Sequence, residues 1–392
     1  MKKDIFKHKE KYLNWKGRIE NLDIKDLSKE NSDLIKRYIS DMENGLNVSV
    51  KSVKGARSYI RLNNLKQRVI FIAKELKSRI KVNYLGDLTE EHVFKFFSEM
   101  RNGTIKRKDG KEYQSVGDYV KVFKAFWHWH MKVNKKNGTE INDITLDLDT
   151  SYDKPKWVYL TEEQIKKLYD NAKYEYKVLI MFLFDSGIRS PSELVNILVS
   201  DLYNNCKELL IRDEISKTFG RRIKLLLCSE MLKQYIKNKE LKPEDYVFLF
   251  SYPVVNRYFQ RLAKKLFGDK ISEAGKKYSE LTLYDFRHCS CCYWLPRYKS
   301  ESALKYRFGW KKSDKIHYYS ELLGMKDTIS EEDLLVDVTK TEIEKRLTET
   351  EKENTILKDK VSFMEAKLND IQELTNSLYE QITINNTKII KK

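Results

Sequence analysis

The chain has 392 residues, and its 75 lysines and arginines outweigh 58 aspartates and glutamates to give a formal net charge of +17. That balance favours a polyanionic partner, and the length accommodates two domains plus extensions. Five cysteines without paired spacing argue against a disulfide framework, the polar first fifteen residues against a signal peptide, and the lack of any apolar run near ~20 residues against a membrane span. The chain therefore reads as soluble and cytoplasmic.

In chain order, residues 31–137 read as helical. Segments 33–42 and 59–76 carry apolar residues at helical spacing, with Arg57, Arg61, Lys66 and Arg68 among them. Thr89 opens a further helix, where Glu90 and Glu91 favour the N-terminal dipole. Segment 116–133 makes an aromatic helix. Its His128 and His130 lie two apart and so on different faces, which argues against a metal pair. The stretch 138–156, with Asp143, Asp147, Asp149, Asp153 and Pro155, reads as a linker. Thr161, Glu162, Glu163 and Gln164 then form a capping box. Residues 178–184 are almost all apolar and predict a buried helix that Gly187 ends. Ser190, Pro191 and Glu193 read as the start of the next helix, with Arg189 directly before an anion-binding N-terminus.

Two β-like runs, 208–215 and 222–228, flank a turn at Thr218, Phe219 and Gly220, which places Lys217 on a hairpin tip. Cys289, Cys291 and Cys292 follow Arg287 and His288 into an apolar helix with Tyr293, Trp294 and Leu295. They read as reduced core cysteines rather than a zinc site, because a second ligand pair is missing. The tail carries apolar residues at alternating steps of four and three from Ile343 to Ile382. Leu357, Met364, Ile371 and Leu378 fall at one core position. Val361, Leu368 and Ile382 fall at the other, with Asn354 among them. This is a coiled-coil seam, in which Asn354 would select register. Thr350 and Thr375 weaken it and leave the oligomer order open.

The sharpest chemistry is the ordered set Arg189, Lys217, Arg287-His288, Trp310 and Tyr319. A phosphodiester attacked by a nucleophile builds charge on its non-bridging oxygens. Arginine's permanently charged fork suits those oxygens, and two arginines can clamp both. A tyrosine can then form a covalent intermediate, and a lysine can protonate the departing sugar oxygen. The contexts are Asp185-Ser186-Gly187-Ile188-Arg189, Ser216-Lys217-Thr218, Tyr284-Asp285-Phe286-Arg287-His288 and Gly309-Trp310, with Tyr319 nine residues on. In order and spacing they resemble the catalytic domain of the tyrosine recombinase (phage-type integrase) family over about residues 155–323. Two departures stand out. Glu193 lies four residues after Arg189, where the family commonly has a glutamate at three. Tyr284 stands where the family's first histidine usually sits, and it is a poor base near neutral pH. His288 reads as supporting its helix. Tyr318 adjoins Tyr319, but on a helix only one of them can face the phosphate.

The resemblance implies a mostly α fold. An α-helical core-binding domain (1–137, including an N-terminal extension) and a linker (138–156) precede a mixed α+β catalytic domain with a small β-hairpin sheet (157–325), and a coiled coil follows (326–392). It implies a site-specific DNA recombinase or integrase, of an archaeal or mobile-element branch, working through a 3′-phosphotyrosyl intermediate. Catalytic positions would be Arg189, Lys217 on a mobile β-hairpin, Tyr284, Arg287, Trp310 and Tyr319. No cofactor or metal is implied. Partners would be double-stranded DNA and further copies of the chain, in a tetramer on two duplexes. A type IB topoisomerase-like enzyme and a catalytically inactive DNA-bridging protein are the alternatives.

Overall fold

The computed structural model describes residues 3–46, 55–152, 154–298 and 300–323, with the single positions 361, 364, 368, 371, 372 and 375. They fall into two compact units: Met1–Cys291 with Lys305–Lys311, and Cys292–Leu304 with Lys312–Lys392.

The first unit opens with five helices, α1 (His8–Ile19), α2 (Lys29–Glu43), α3 (Tyr59–Ile80), α4 (Glu90–Arg101) and α5 (Val116–Lys136). Side chains cap three of them, with Thr89 opening α4 as expected. Ser28 accepts from the Asn31 N–H and Ser58 from that of Arg61, while Thr89 and His92 form a reciprocal box at α4. The spacing of Phe123, Phe126, Trp127 and His130 puts them on one face of α5, which buries them with Tyr38, Leu65 and Phe96. Burying each phenylalanine contributes about 1.5–3 kcal/mol. The indoles keep their N–H groups bonded, Trp129 to Asp41 (2.8 Å) and Trp127 to the Asn142 carbonyl (3.0 Å). His130 stacks on Phe126 and bonds Asn134, and His128 bonds Asp143.

Lys66 breaks the apolar pattern of α3. It is 6% exposed, with its ammonium 4.5 Å from the Trp15 ring centroid. Burial, helped by the nearby Arg18 charge, brings its pKa down from 10.5 to about 8. The folded value lies below the unfolded one. Above about pH 8 the folded chain therefore sheds a proton that the unfolded chain keeps until about 10.5, and stability gains from this site as pH rises through that window. Lys66→Met should raise the melting temperature at pH 7, and its advantage over the wild type should shrink between pH 8 and 10.5. Parallel melting curves for the two proteins across that window would show that Lys66 is solvated.

The rest of the first unit carries α6 (Glu162–Asn171), α7 (Tyr174–Ser186), strands β1 (Leu202–Tyr203), β2 (Glu208–Ile211) and β3 (Arg221–Lys224), then α8 (Ser229–Asn238) and α9 (Tyr252–Phe267). α10 (Asp285–Trp294) and α11 (Glu301–Phe308) each have residues in both units, and α12 (Asp314–Leu323) belongs to the second. Thr161 and Gln164 form the expected capping box at α6. The strands make one antiparallel sheet, ordered β1-β2-β3, with Leu209 opposite Ile223.

The fold is thus mostly helical with a small sheet, as the sequence implied, but the strands are shorter than expected. β2 stops at Ile211 because the chain then turns, the Ser216 N–H reaching the Arg212 carbonyl. The Asp213 carboxylate takes the Gly220 N–H (2.6 Å), which diverts that backbone from the ladder. The short strand β1 was not expected. Of the tail seam, Val361, Met364, Leu368, Ile371 and Thr375 are helical and exposed, and its other positions lie outside the described residues. Among the described residues no helix is long and apolar enough to cross a membrane.

Candidate active site

The site grows from the end of α7. This helix is buried over most of its circumference and stops at Gly187, whose φ of +59° favours glycine. Any Cβ there would lie 2.4 Å from the Phe308 ring and 2.8 Å from the Ser290 hydroxyl. The freed Gly187 carbonyl accepts from Arg287 Nη1 (2.5 Å), while Arg287 Nη2 donates to the Phe308 carbonyl (2.6 Å). Arg287, on α10, is 4% exposed, and both of these bonds go to neutral carbonyls. Burial lowers its pKa, and Arg189 and Arg221 lie close enough to lower it further.

Arg189 follows two residues after Gly187. Its Nη1 donates to Glu193 (2.7 Å) and its Nη2 to the carbonyl of Gly309 (2.8 Å) and the hydroxyl of Thr218 (3.3 Å). Three of an arginine's five N–H donors are thereby used, and two remain for an incoming anion. The expected α-helix after Arg189 does not form. A single 3-10 turn, Leu194–Asn196, stands in its place. The cause is Glu193. Its carboxylate caps the Arg189 N–H (2.8 Å) instead of Ser190, and the buried Ser190 hydroxyl has no partner. Arg189 is therefore held by a carboxylate rather than set before a helix dipole.

That carboxylate is fully buried and also receives both terminal nitrogens of Arg221, at 3.1 and 2.9 Å. Burial pushes its pKa up, but the bonds and charges of Arg221 and Arg189 outweigh this and hold it at about 2. Arg189 and Arg221 thus share one carboxylate, and with Arg287 nearby the three arginines leave a surplus of two positive charges. The nearby Arg307–Asp185 pair (3.0 Å) is self-neutralising. Gly309, with φ +61°, brings its carbonyl to both Arg189 and Thr218. A Cβ there would sit 2.9 Å from Arg221.

Tyr284 is 39% exposed, directly before α10, and meets the His288 ring edge-on at 5.2 Å. His288 stacks on Trp157 at 4.7 Å and so supports its helix, as expected. Trp310 stacks on Phe308 at 5.0 Å, beside the carbonyls that hold the two arginines. Lys217 is exposed in the loop 212–220. The structure thus brings Arg189, Arg287 and Trp310 together around Gly309 and Phe308. Cys289, Cys291 and Cys292 are buried in α10.

Residues 158–324 match the model of the phage integrase family. That segment, a little under half of the chain, is similar to the phage integrase family and contains Arg189, Lys217, Arg287, Trp310 and Tyr319. Among curated proteins, none matches this sequence. Solved structures with the same fold include the Tn1549 transposon integrase in complex with circular intermediate DNA, at 15% identity and a TM-score of 0.54, covering 80% of this chain and 100% of that one. A lambda integrase dimer bound to a COC′ core site is also 15% identical at 0.54, with 81% and 84% covered. The XerH recombinase bound to palindromic difH is 14% identical at 0.52, with 81% and 92% covered.

Tyr319 lies on α12 in the second unit and is 3% exposed, while Tyr318, in edge contact with it, is half-buried. Arg221, Arg307, Thr218 and the Gly309 carbonyl were not singled out from the sequence. Arg221 carried a readable signal. It sits two residues before Ile223 in a strand, so the alternation that buries Ile223 buries Arg221 and exposes Arg222.

Proposed function

We propose that the protein is a site-specific tyrosine recombinase that binds double-stranded DNA and exchanges strands through a 3′-phosphotyrosyl link on Tyr319. The observation that carries this reading is the buried guanidinium cluster with its single carboxylate. A surplus of two positive charges away from water suits a phosphodiester that gains negative charge as it is attacked. The net charge of +17 and the DNA present in the related structures support the partner. Arg189 and Arg287 hold the non-bridging oxygens, with Tyr284 and Trp310 as further donors. The Tyr319 oxygen gives up its proton and bonds phosphorus, and the bond from phosphorus to the 5′-oxygen breaks. Lys217 gives that oxygen its proton. The free 5′-hydroxyl of a partner strand then reverses the step and releases the tyrosine.

The lysine step is separately testable. Lys217→Ala should slow cleavage of ordinary DNA by roughly 100-fold or more, the range of general-acid effects. A bridging 5′-phosphorothiolate should restore the rate, because a thiolate leaves without a proton. Equal defects on both substrates would assign Lys217 to binding.

In this reading residues 1–137 grip the DNA, 138–156 link, 157–325 catalyse, and 326–392 join copies of the chain into a tetramer on two duplexes. The tail's apolar seam supports self-association. Truncation after Thr339 should keep single-site cleavage while recombination falls further, since only recombination needs two synapsed duplexes. A tail peptide that stays monomeric by light scattering at high micromolar concentration would defeat this division.

A further inference from the structure

Lys217 is exposed, yet the residues on both sides of it are tied to the arginine cluster. Ser216 donates to the Glu193 carboxylate (3.4 Å) and accepts the Thr218 N–H (3.3 Å). The Thr218 hydroxyl donates to the Gly309 carbonyl (2.9 Å) and accepts from Arg189 (3.3 Å). At the far end of the loop Arg221 is 2% exposed, chelates Glu193 with both terminal nitrogens and donates Nε to the Arg307 carbonyl (2.8 Å). Phe219 lies face to face with Tyr306 at 6.1 Å, and the Tyr306 hydroxyl takes the Arg222 N–H (3.2 Å). Asp213 closes the loop on itself through Gly220.

A hairpin connection of this length, left to solvent, would hold its lysine in no single place. We propose that the loop carrying Lys217 is docked on Arg189 and Glu193, so that the lysine and the first arginine meet DNA as one preassembled unit. The role of Lys217 rests on the function proposed above, whereas the docking stands on the contacts alone. Glu193 is the hub. It lies four residues beyond Arg189, holds that side chain with one oxygen and turns the carboxylate toward the loop. Arg221 and Thr218 are positioning residues, acting through Glu193, Gly309 and the loop backbone. Fixing the loop before DNA arrives removes an ordering cost from the reaction, in which small misplacements of a reacting group are expensive.

Thr218→Val tests this, because it deletes the hydroxyl and keeps the branched shape. Hydrogen exchange on the full chain, without DNA, reads the docking. Peptides spanning 214–221 should be protected in the wild type and exchange roughly tenfold or more faster in the variant, as expected when a local structural unit opens. Exchange that is already unprotected in the wild type, or unchanged by Thr218→Val, overturns the proposal. Cleavage reads the coupling. Thr218→Val should cut ordinary DNA roughly tenfold or more slowly at unchanged DNA affinity, and a bridging 5′-phosphorothiolate should restore most of the rate. A defect of equal size on both substrates overturns the link to Lys217. If the exchange change appears while even the wild type forms no covalent adduct, the docking holds and the catalytic reading of Lys217 is what fails.

Discussion

Tyr319→Phe should form no covalent adduct on a suicide DNA substrate while binding the same DNA with near wild-type affinity. The substitution removes one oxygen from a side chain that is 3% exposed and keeps the ring, so the ring packing on α12 survives. Loss of the nucleophile itself leaves no route to a phosphotyrosyl link, and the effect is all-or-none. Tyr318→Phe should stay active. The two tyrosines are neighbours on one helix, about 100° apart around its axis, and cannot face one phosphate together. Denaturing gels of both variants decide the matter. A full covalent yield from Tyr319→Phe would remove Tyr319 from the chemistry and leave Tyr318 as the candidate.

The sequence exposed the parts of this site that act locally. Arg287 and His288 fall in a short ordered motif, Gly187 ends an apolar run, and Lys217 lies between two strand-like segments. Each can be read within a window of ten residues. The helices of the N-terminal region were legible for the same reason, since a period of three to four residues records burial along a single element. What could not be read was the wiring between elements. Glu193 meets Arg221 across 28 positions, Arg189 meets Gly309 across 120, and Arg307 meets Asp185 across 122. No local pattern announces such pairings. The error at Ser190 has the same origin. Serine, proline and glutamate at these spacings favour a helix start, but a long-range demand for the Glu193 carboxylate prevailed over the local cap. The early end of β2 likewise follows from Asp213, and at the far end of β3 the Asp185 carboxylate takes the Leu227 and Cys228 N–H groups that strand propensity alone would have assigned to the ladder.

The same wiring sets different expectations for the two arginines. Arg189→Lys keeps a charge but loses the planar fork, so the Glu193, Thr218 and Gly309 bonds cannot all be made at once. Transition-state stabilisation should fall by about 3 kcal/mol or more, on the order of 100-fold in cleavage rate, as when a preorganised donor is removed elsewhere. Folding should suffer less, because Arg221 still neutralises Glu193 from within. Arg287→Lys should lose activity and stability together. Its guanidinium alone bridges the carbonyls of Gly187 and Phe308, and an ammonium on a flexible stem cannot reach both. The carbonyl left behind is buried, at a cost of about 1–3 kcal/mol. Calorimetry therefore separates the two variants before any DNA is added, and single-turnover cleavage then measures the clamp in each. Wild-type cleavage rates in both lysine variants would show that these arginines do not hold the phosphate, and the surplus of charge around Glu193 would then need another purpose.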